Sequence, residues 1–232
     1  MMTLRKLSFS MHRSCRVWAV LLLWVLTLAG CGMFDRPPAH SVGHSHKHIS
    51  AKDGTHLRYQ EPDRYTWQYP ELVIKALKLE EGMKVADVGS GTGYFTFRLA
   101  EAVGSSGKVY AVDIDEEMKA SIDKQAVEKQ MENVRTVLAV AHDPLIPEKV
   151  DLIFSVNAYH HIKDRANYFR NAARYLKPGG RVAIIDFRKG AFKHYTELKV
   201  LLEEFKAAGY ALDKTHGMLP RQNFLVFSLA KK

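Results

Sequence analysis

The sequence predicts an α/β domain: a doubly wound, mostly parallel sheet of seven strands, with helices on both faces and an antiparallel hairpin at one edge. Three features lead to this. From Lys84 onward, short runs rich in β-branched residues alternate with longer amphipathic runs, the pattern of strand–helix units. A glycine-rich turn, Gly89-Ser90-Gly91-Thr92-Gly93, joins the first of those strands to the helix that follows it. The last two strand-like runs are separated by a short loop with no helical segment, which suits an antiparallel pair.

The elements follow in order. Pro70 opens a helix through Leu77, with proline in the first turn where its missing N–H costs nothing. Lys84–Val88 reads as a strand and Tyr94–Val103 as a helix with Phe95, Leu99 and Val103 on one face. Lys108–Val112 is a strand, Glu116–Gln130 a helix, and Val134–Val140 and Asp151–Val156 are strands with a loop between them. Arg165–Leu176 is a helix, Pro178-Gly179-Gly180 a turn, and Arg181–Phe187 a strand. His194–Ala208 is a helix whose stripe of Leu198, Leu201, Leu202 and Phe205 is core packing. Tyr210–Lys214 and Phe224–Leu229 close the chain as strands.

The chain has 232 residues, 47% hydrophobic and 25% charged, a globular composition. Its net charge of +9 is unevenly placed, because Arg5, Lys6, Arg13 and Arg16 supply four of the positive charges before any acid appears. In the remainder, Lys and acidic residues are interspersed, which describes a solvated surface and not a nucleic-acid interface.

Residues Val17 to Ala29 are apolar except for Thr27 and follow the basic segment, the order of a secretory signal. The run is shorter than the ~20 residues of a spanning helix, although extending it through Phe34 gives the alternative of an uncleaved anchor. Leu28-Ala29-Gly30-Cys31 resembles a bacterial lipoprotein signal. The resemblance implies cleavage before Cys31 and its lipidation, and Gly32 in place of Asp implies the outer membrane, on its periplasmic face. Both readings export the domain, since the basic flank stays inside. With Cys15 in the signal and Cys31 acylated, the mature domain carries no thiol or disulfide, as suits an oxidising compartment. The expected organisation is a signal peptide over 1–30, a flexible tether over 31–64 and the α/β domain over 65–232. The tether holds His40, His44, His46, His48 and His56, which could ligate a metal. No carboxylate or cysteine completes a set there, so a solvated linker is the preferred reading and no metal site is assigned.

The glycine turn discriminates between ligands. Its spacing is G-x-G-x-G, and the third glycine of a dinucleotide fingerprint would fall at Tyr94. A P-loop is excluded, because no Gly-Lys-Ser/Thr follows. Asp87, two residues before the first glycine, would repel a pyrophosphate but suits an ammonium group. The next strand ends at Asp113, where a carboxylate can accept both ribose hydroxyls of a nucleoside. Asp113 could instead cap the following helix, a role also open to Asp115.

Taken together, VADVGSGTGYF from Val85, VYAVDID from Val109, VDLIFSVNAYHHI from Val150 and LKPGGRVAIIDF from Leu176 resemble the successive motifs of class I S-adenosylmethionine (SAM)-dependent methyltransferases. The resemblance covers roughly residues 65 to 229 and implies a Rossmann-like fold with SAM as cofactor. It implies that Asp87 and the loop of Gly89, Ser90, Gly91 and Gly93 hold the methionine end, that Asp113 holds the ribose, and that Ile114 flanks the adenine. Ala141, His142 and Asp143 match the loop over the adenine edge, where many relatives have Asp at the position of His142. Asn157 would lie beside the methyl group; a strand-end turn residue is the other reading. The segments YHHI, DR-x-x-YF and LP-x-x-x-FLVF further resemble a group of exported bacterial methyltransferase-like proteins, which implies no particular substrate.

A sulfonium methyl is already activated, so the protein must chiefly align the reactants. Where an acceptor must lose a proton, Tyr159-His160-His161 is the candidate segment, since a histidine near its ordinary pKa of ~6.5 can act as base. Adjacent residues of an extended chain point opposite ways, so one histidine faces the pocket; the alternative has one capping the next helix and the other packing. Tyr159 is a candidate wall of the acceptor pocket. Tyr65, Trp67 and Gln68 are either a lid over the cofactor or ordinary packing. The short basic stretch Arg188, Lys189 and Lys193 hints at a small or anionic acceptor.

Overall fold

The computed structural model describes residues 63–231. The expected signal segment, Cys31 and the expected histidine-rich tether up to residue 62 lie outside the described residues. Among the described residues, no helix is long and apolar enough to cross a membrane.

Two short helices, α1 (Arg64–Gln68) and α2 (Pro70–Leu77), precede the sheet. Seven strands follow: β1 (Lys84–Val88), β2 (Lys108–Asp113), β3 (Val134–Leu138), β4 (Val150–Val156), β5 (Leu176–Phe187), β6 (Tyr210–His216) and β7 (Gln222–Leu229). They form one sheet in the order β3-β2-β1-β4-β5-β7-β6. The first five are parallel, and β7 runs antiparallel to both β5 and β6, which is the expected edge hairpin. The strand order reverses between β1 and β4, so the chain leaves a crevice at their carboxyl ends, where doubly wound sheets place ligands.

Alternation along the strands builds a core on each face. Val85, Leu152, Phe154, Ile185 and Phe224 pack with α2, α3 (Thr96–Val103) and α4 (Glu116–Glu128). Val112, Ile153, Ile184, Leu225 and Phe227 pack on the other face with α5 (Arg165–Ala172) and α6 (Leu198–Ala207). The stripe on α6 is divided. Leu201 and Phe205 are buried and Leu202 packs against the core, whereas Leu198 is exposed.

Several boundaries differ from expectation for local reasons. The helix after the glycine turn starts at Thr96, because Gly89, Gly91 and Gly93 all adopt positive φ and the turn continues past them. The Lys177–Gly180 segment lies within β5, as a bulge where the pairing with β4 jumps from Leu176 to Arg181. The last helix begins at Leu198, after an irregular segment containing His194. The packed domain already includes Arg64, which the sequence assigned to the tether; its side chain lies over the Tyr94 ring.

Candidate active site

The glycine turn leaves β1 and is tied to β2. The Gly89 and Ser90 N–H groups donate to the Val112 carbonyl, at 2.8 and 3.2 Å. The Gly91 N–H donates to Asp113 Oδ2 at 2.8 Å, and the Asp115 N–H donates to Asp113 Oδ1 at 3.1 Å. Asp113 therefore braces the loop from the neighbouring strand. An ionised carboxylate has about four acceptor positions, so two amides leave room for further donors. The capping role falls to Asp115, whose side chain accepts from the N–H groups of Glu117 and Met118 at the start of α4.

The glycines are needed for different reasons. A Cβ at Gly89 would sit 2.2 Å from Ala158 Cβ, beyond the end of β4, and one at Gly93 would meet the Phe97 ring at 2.7 Å. At Gly91 nothing lies within 4 Å, so the middle of the loop faces open space. Ser90 Oγ is buried without a partner.

Asp87 is buried at the end of β1 and accepts a hydrogen bond from Thr96 Oγ1 at 2.7 Å. Burial pushes its carboxyl up to about 7. The Thr96 hydroxyl and the Arg64 guanidinium oppose that rise, while Asp113 adds to it. Burial also raises Asp113, against the pull of its backbone donors. Two carboxyls at adjacent strand ends, both disfavoured as anions, form a place where a cation would be welcome.

The other predicted residues are distributed around this edge. Ile114 is 68% exposed just beyond Asp113. His142 is exposed, and its carbonyl accepts from Asn171. Asp143 is buried; its carboxylate is bound by Arg174, Tyr175 and the Leu145 N–H. Burial opposes the charge, but these donors hold its pKa below the ordinary carboxylate value. The Asp143 side chain thus serves the loop's own architecture.

Asn157 follows β4 in a left-handed conformation, φ 56°, and is buried. Its Oδ1 accepts from Gln222 Nε2 at 2.5 Å; Gln222 Oε1 accepts from Gln68 Nε2 at 3.2 Å; and Gln68 Oε1 accepts from Arg64. This buried polar chain fastens α1 over the carboxyl edge of the sheet. Trp67 packs on Phe187, with ring centroids 5.9 Å apart, and Tyr65 is exposed. Trp67 and Gln68 are therefore packed against the edge they were expected to cover.

The Tyr159-His160-His161 segment forms a 3-10 turn, and its members separate. Tyr159 lies in the core. It is buried against Phe169 and Phe205, and its hydroxyl donates to Glu204 Oε2 at 2.6 Å. Burial and Glu204 push the phenol pKa upward. The ring that the sequence reading offered as a wall of the acceptor pocket thus packs in the core with α5 and α6, because its segment turns back toward them. Neither histidine caps the next helix, because Asp164 does so through the Asn167 N–H. His160 lies with Nδ1 2.6 Å from Asp186 Oδ1, in a pair whose side chains are 4% and 1% exposed. His161 sits beside it, ring centroids 4.2 Å apart; burial, His160 and His194 lower its pKa, against Asp186.

Sequence reasoning passed over Asp186, Gln222, Arg64 and Thr96. Asp186 carried a signal, an acid closing the apolar run VAIID at a strand end. Gln222 carried none, since its role depends on β7 reaching back beside β4 and α1.

Fold and loop together define a cofactor site of nucleoside type at the switch point of a doubly wound sheet. A family model described as a methyltransferase domain matches residues 79–217, more than half of the chain. The ubiquinone/menaquinone biosynthesis C-methyltransferase UbiE of Idiomarina loihiensis is 36% identical over 113 residues, 48% of this chain and 45% of that protein. An arsenite methyltransferase of Halobacterium salinarum is 35% identical over 106 residues, 45% of this chain and 27% of that one. Among solved structures, a SAM-dependent methyltransferase from Aquifex aeolicus has a TM-score of 0.69 and 25% identity, covering 78% of this chain and all of that one. The chain spans about half or less of the length of the curated relatives it matches. It belongs to the SAM-dependent methyltransferases, enzymes of Rossmann-like fold with SAM as their methyl donor.

The residues present fit that cofactor. A buried acid seeking a cation, an open glycine turn with an unpartnered hydroxyl, and a second acid with spare acceptor positions suit an ammonium, a carboxylate-bearing chain and a ribose respectively.

Proposed function

We propose that this chain transfers the methyl group of SAM to a small-molecule acceptor. The observation that carries the reading is the paired acids on one glycine turn. Asp87 would take the ammonium of the methionine end, the Gly89–Gly93 loop with Ser90 would receive the rest of that end, and Asp113 would hold the ribose hydroxyls. Ile114 and the exposed His142 would border the adenine, with Asp143 fixing the loop of His142. Asn157, locked by Gln222, would lie near the methyl group. SAM supplies an electrophilic methyl on a positively charged sulfur. The protein's part is alignment and exclusion of water, worth up to ~7–11 kcal/mol of barrier. α1, fastened through Arg64 and Gln68, is the element placed to shield that edge.

The sequence of the first 31 residues supports an exported, lipid-anchored form attached through Cys31, in the outer membrane of a bacterium that has one. That location motivates a second reading, a SAM-binding sensor without turnover, because nothing in the chain supplies SAM outside the cytoplasm. Incubation of the full chain with methyl-labelled SAM and a small-molecule extract separates the two. Label transfer that is lost in Asp113→Ala supports the enzyme; binding without transfer to any component supports the sensor. Cys31→Ser should abolish fatty-acid labelling and membrane retention, and persistent labelling would refute the anchor.

A further inference from the structure

We infer that His160 and Asp186 form a proton-accepting dyad, and that the acceptor is therefore one whose nucleophilic atom carries a weakly acidic hydrogen. This rests on the methyltransferase reading and narrows its substrate class. The pair lies at the carboxyl ends of β4 and β5, one strand away from the glycine turn, on the same edge of the sheet. Asp186 is 1% exposed and pairs with no Lys or Arg among the described residues; His160 is its ion-pair partner. A buried carboxylate 2.6 Å from Nδ1 holds the proton on that nitrogen and leaves the Nε2 lone pair free. His160 Nε2 and Asp186 Oδ2 are both buried without a hydrogen-bond partner. Each of these two atoms thus keeps an acceptor position that a protic ligand could fill.

The dyad sits in a cluster of imidazole and aromatic rings. His160 faces His161 at 4.2 Å and His194 at 6.3 Å between ring centroids, with Phe187 and Phe192 completing the cluster. Burial first, and then His160 and His194, drive His161 toward its neutral form. Among the described residues no group of three or more His, Cys, Asp or Glu side chains is arranged to hold a metal ion.

The step balances simply. The acceptor X–H gives its proton to His160 Nε2, X forms a bond to the methyl carbon, and the carbon–sulfur bond breaks with its electron pair going to sulfur. Neutral S-adenosylhomocysteine and an imidazolium stabilised by Asp186 remain. His160 is the catalytic residue in this scheme and Asp186 the positioning residue. Acceptors that react through a lone pair without losing a proton, such as a thioether or arsenite, gain nothing from the dyad.

The test uses the full chain with methyl-labelled SAM and four probes: catechol and acetylacetone, which must lose a proton, and dimethyl sulfide and arsenite, which need not. Wild type should methylate at least one protic probe. His160→Gln should lower kcat by about 10²–10⁴-fold with SAM binding retained. Asp186→Asn should lower kcat and move the acidic limb of its pH profile to lower pH, because the imidazolium loses its carboxylate, while Asp186→Glu restores part of the rate. A merely architectural pair would change stability without moving that limb. The assignment is overturned if His160→Gln matches wild type, if only the lone-pair probes are methylated, or if SAM-loaded wild type methylates no protic probe. A chain that takes up no SAM contradicts the methyltransferase reading itself.

Discussion

The carboxylate of Asp113 accepts the Gly91 N–H at 2.8 Å, tying the middle of the glycine turn to the end of the adjacent strand. One residue thereby serves both the shape of the loop and the acceptor positions it offers. Asp113→Ala removes both. Hydrogen bonds to charged groups contribute about 1.5–3 kcal/mol each, so SAM affinity measured by calorimetry should fall at least ~100-fold. The thermal midpoint of the SAM-free chain should fall as well, because the Gly91 and Asp115 amides lose their charged acceptor.

Gly89 and Gly91 should respond differently to alanine. At Gly89, φ +75° combines with a Cβ 2.2 Å from Ala158, so backbone must shift and stability should drop by about 3 kcal/mol or more. At Gly91, φ +51° is the only penalty, about 1–2 kcal/mol. Denaturant titration of the two variants side by side checks the order.

Asp87 makes the site pH-sensitive. Its folded pKa of about 7 lies above its ordinary value of 3.8, so between those pH values the folded state holds a proton that the unfolded chain has released. Its contribution to stability is therefore present in full below about pH 4 and is lost as pH rises through 7. Asp87→Asn should stabilise the SAM-free chain above pH 7, by up to about 4 kcal/mol, and not below pH 4. SAM binding by wild type should strengthen as pH rises through 7, with proton release visible as a dependence of the measured heat on the buffer.

Tyr159→Phe keeps the ring in its core and deletes only the bond to Glu204, which Arg165 still holds through two contacts. Stability should fall by about 1 kcal/mol and methyl transfer should be unchanged. A large loss of kcat would return Tyr159 to the acceptor pocket.

The sheet was legible because strand alternation and turn chemistry are local. The β1 span Lys84–Val88 and the hairpin at the end follow directly from residue pattern. The candidate cofactor edge could be proposed from sequence because its acids sit at fixed offsets from one glycine turn. What stayed hidden depends on contacts between distant segments. Tyr159 went inward because the core between α5 and α6 had room for its ring, which neighbours in sequence do not reveal. Gln222 became part of the site only through its reach to Asn157 and Gln68, 65 and 154 residues away in sequence. Asp186 became interpretable once β5 was laid beside β4 and His160 was brought to it.

Calorimetric titration of SAM into the full chain, in parallel with Asp113→Ala, tests the central claim most directly. The account predicts saturable binding of one SAM per chain by wild type and its loss in the variant. No heat and no thermal shift in wild type at millimolar SAM would contradict it.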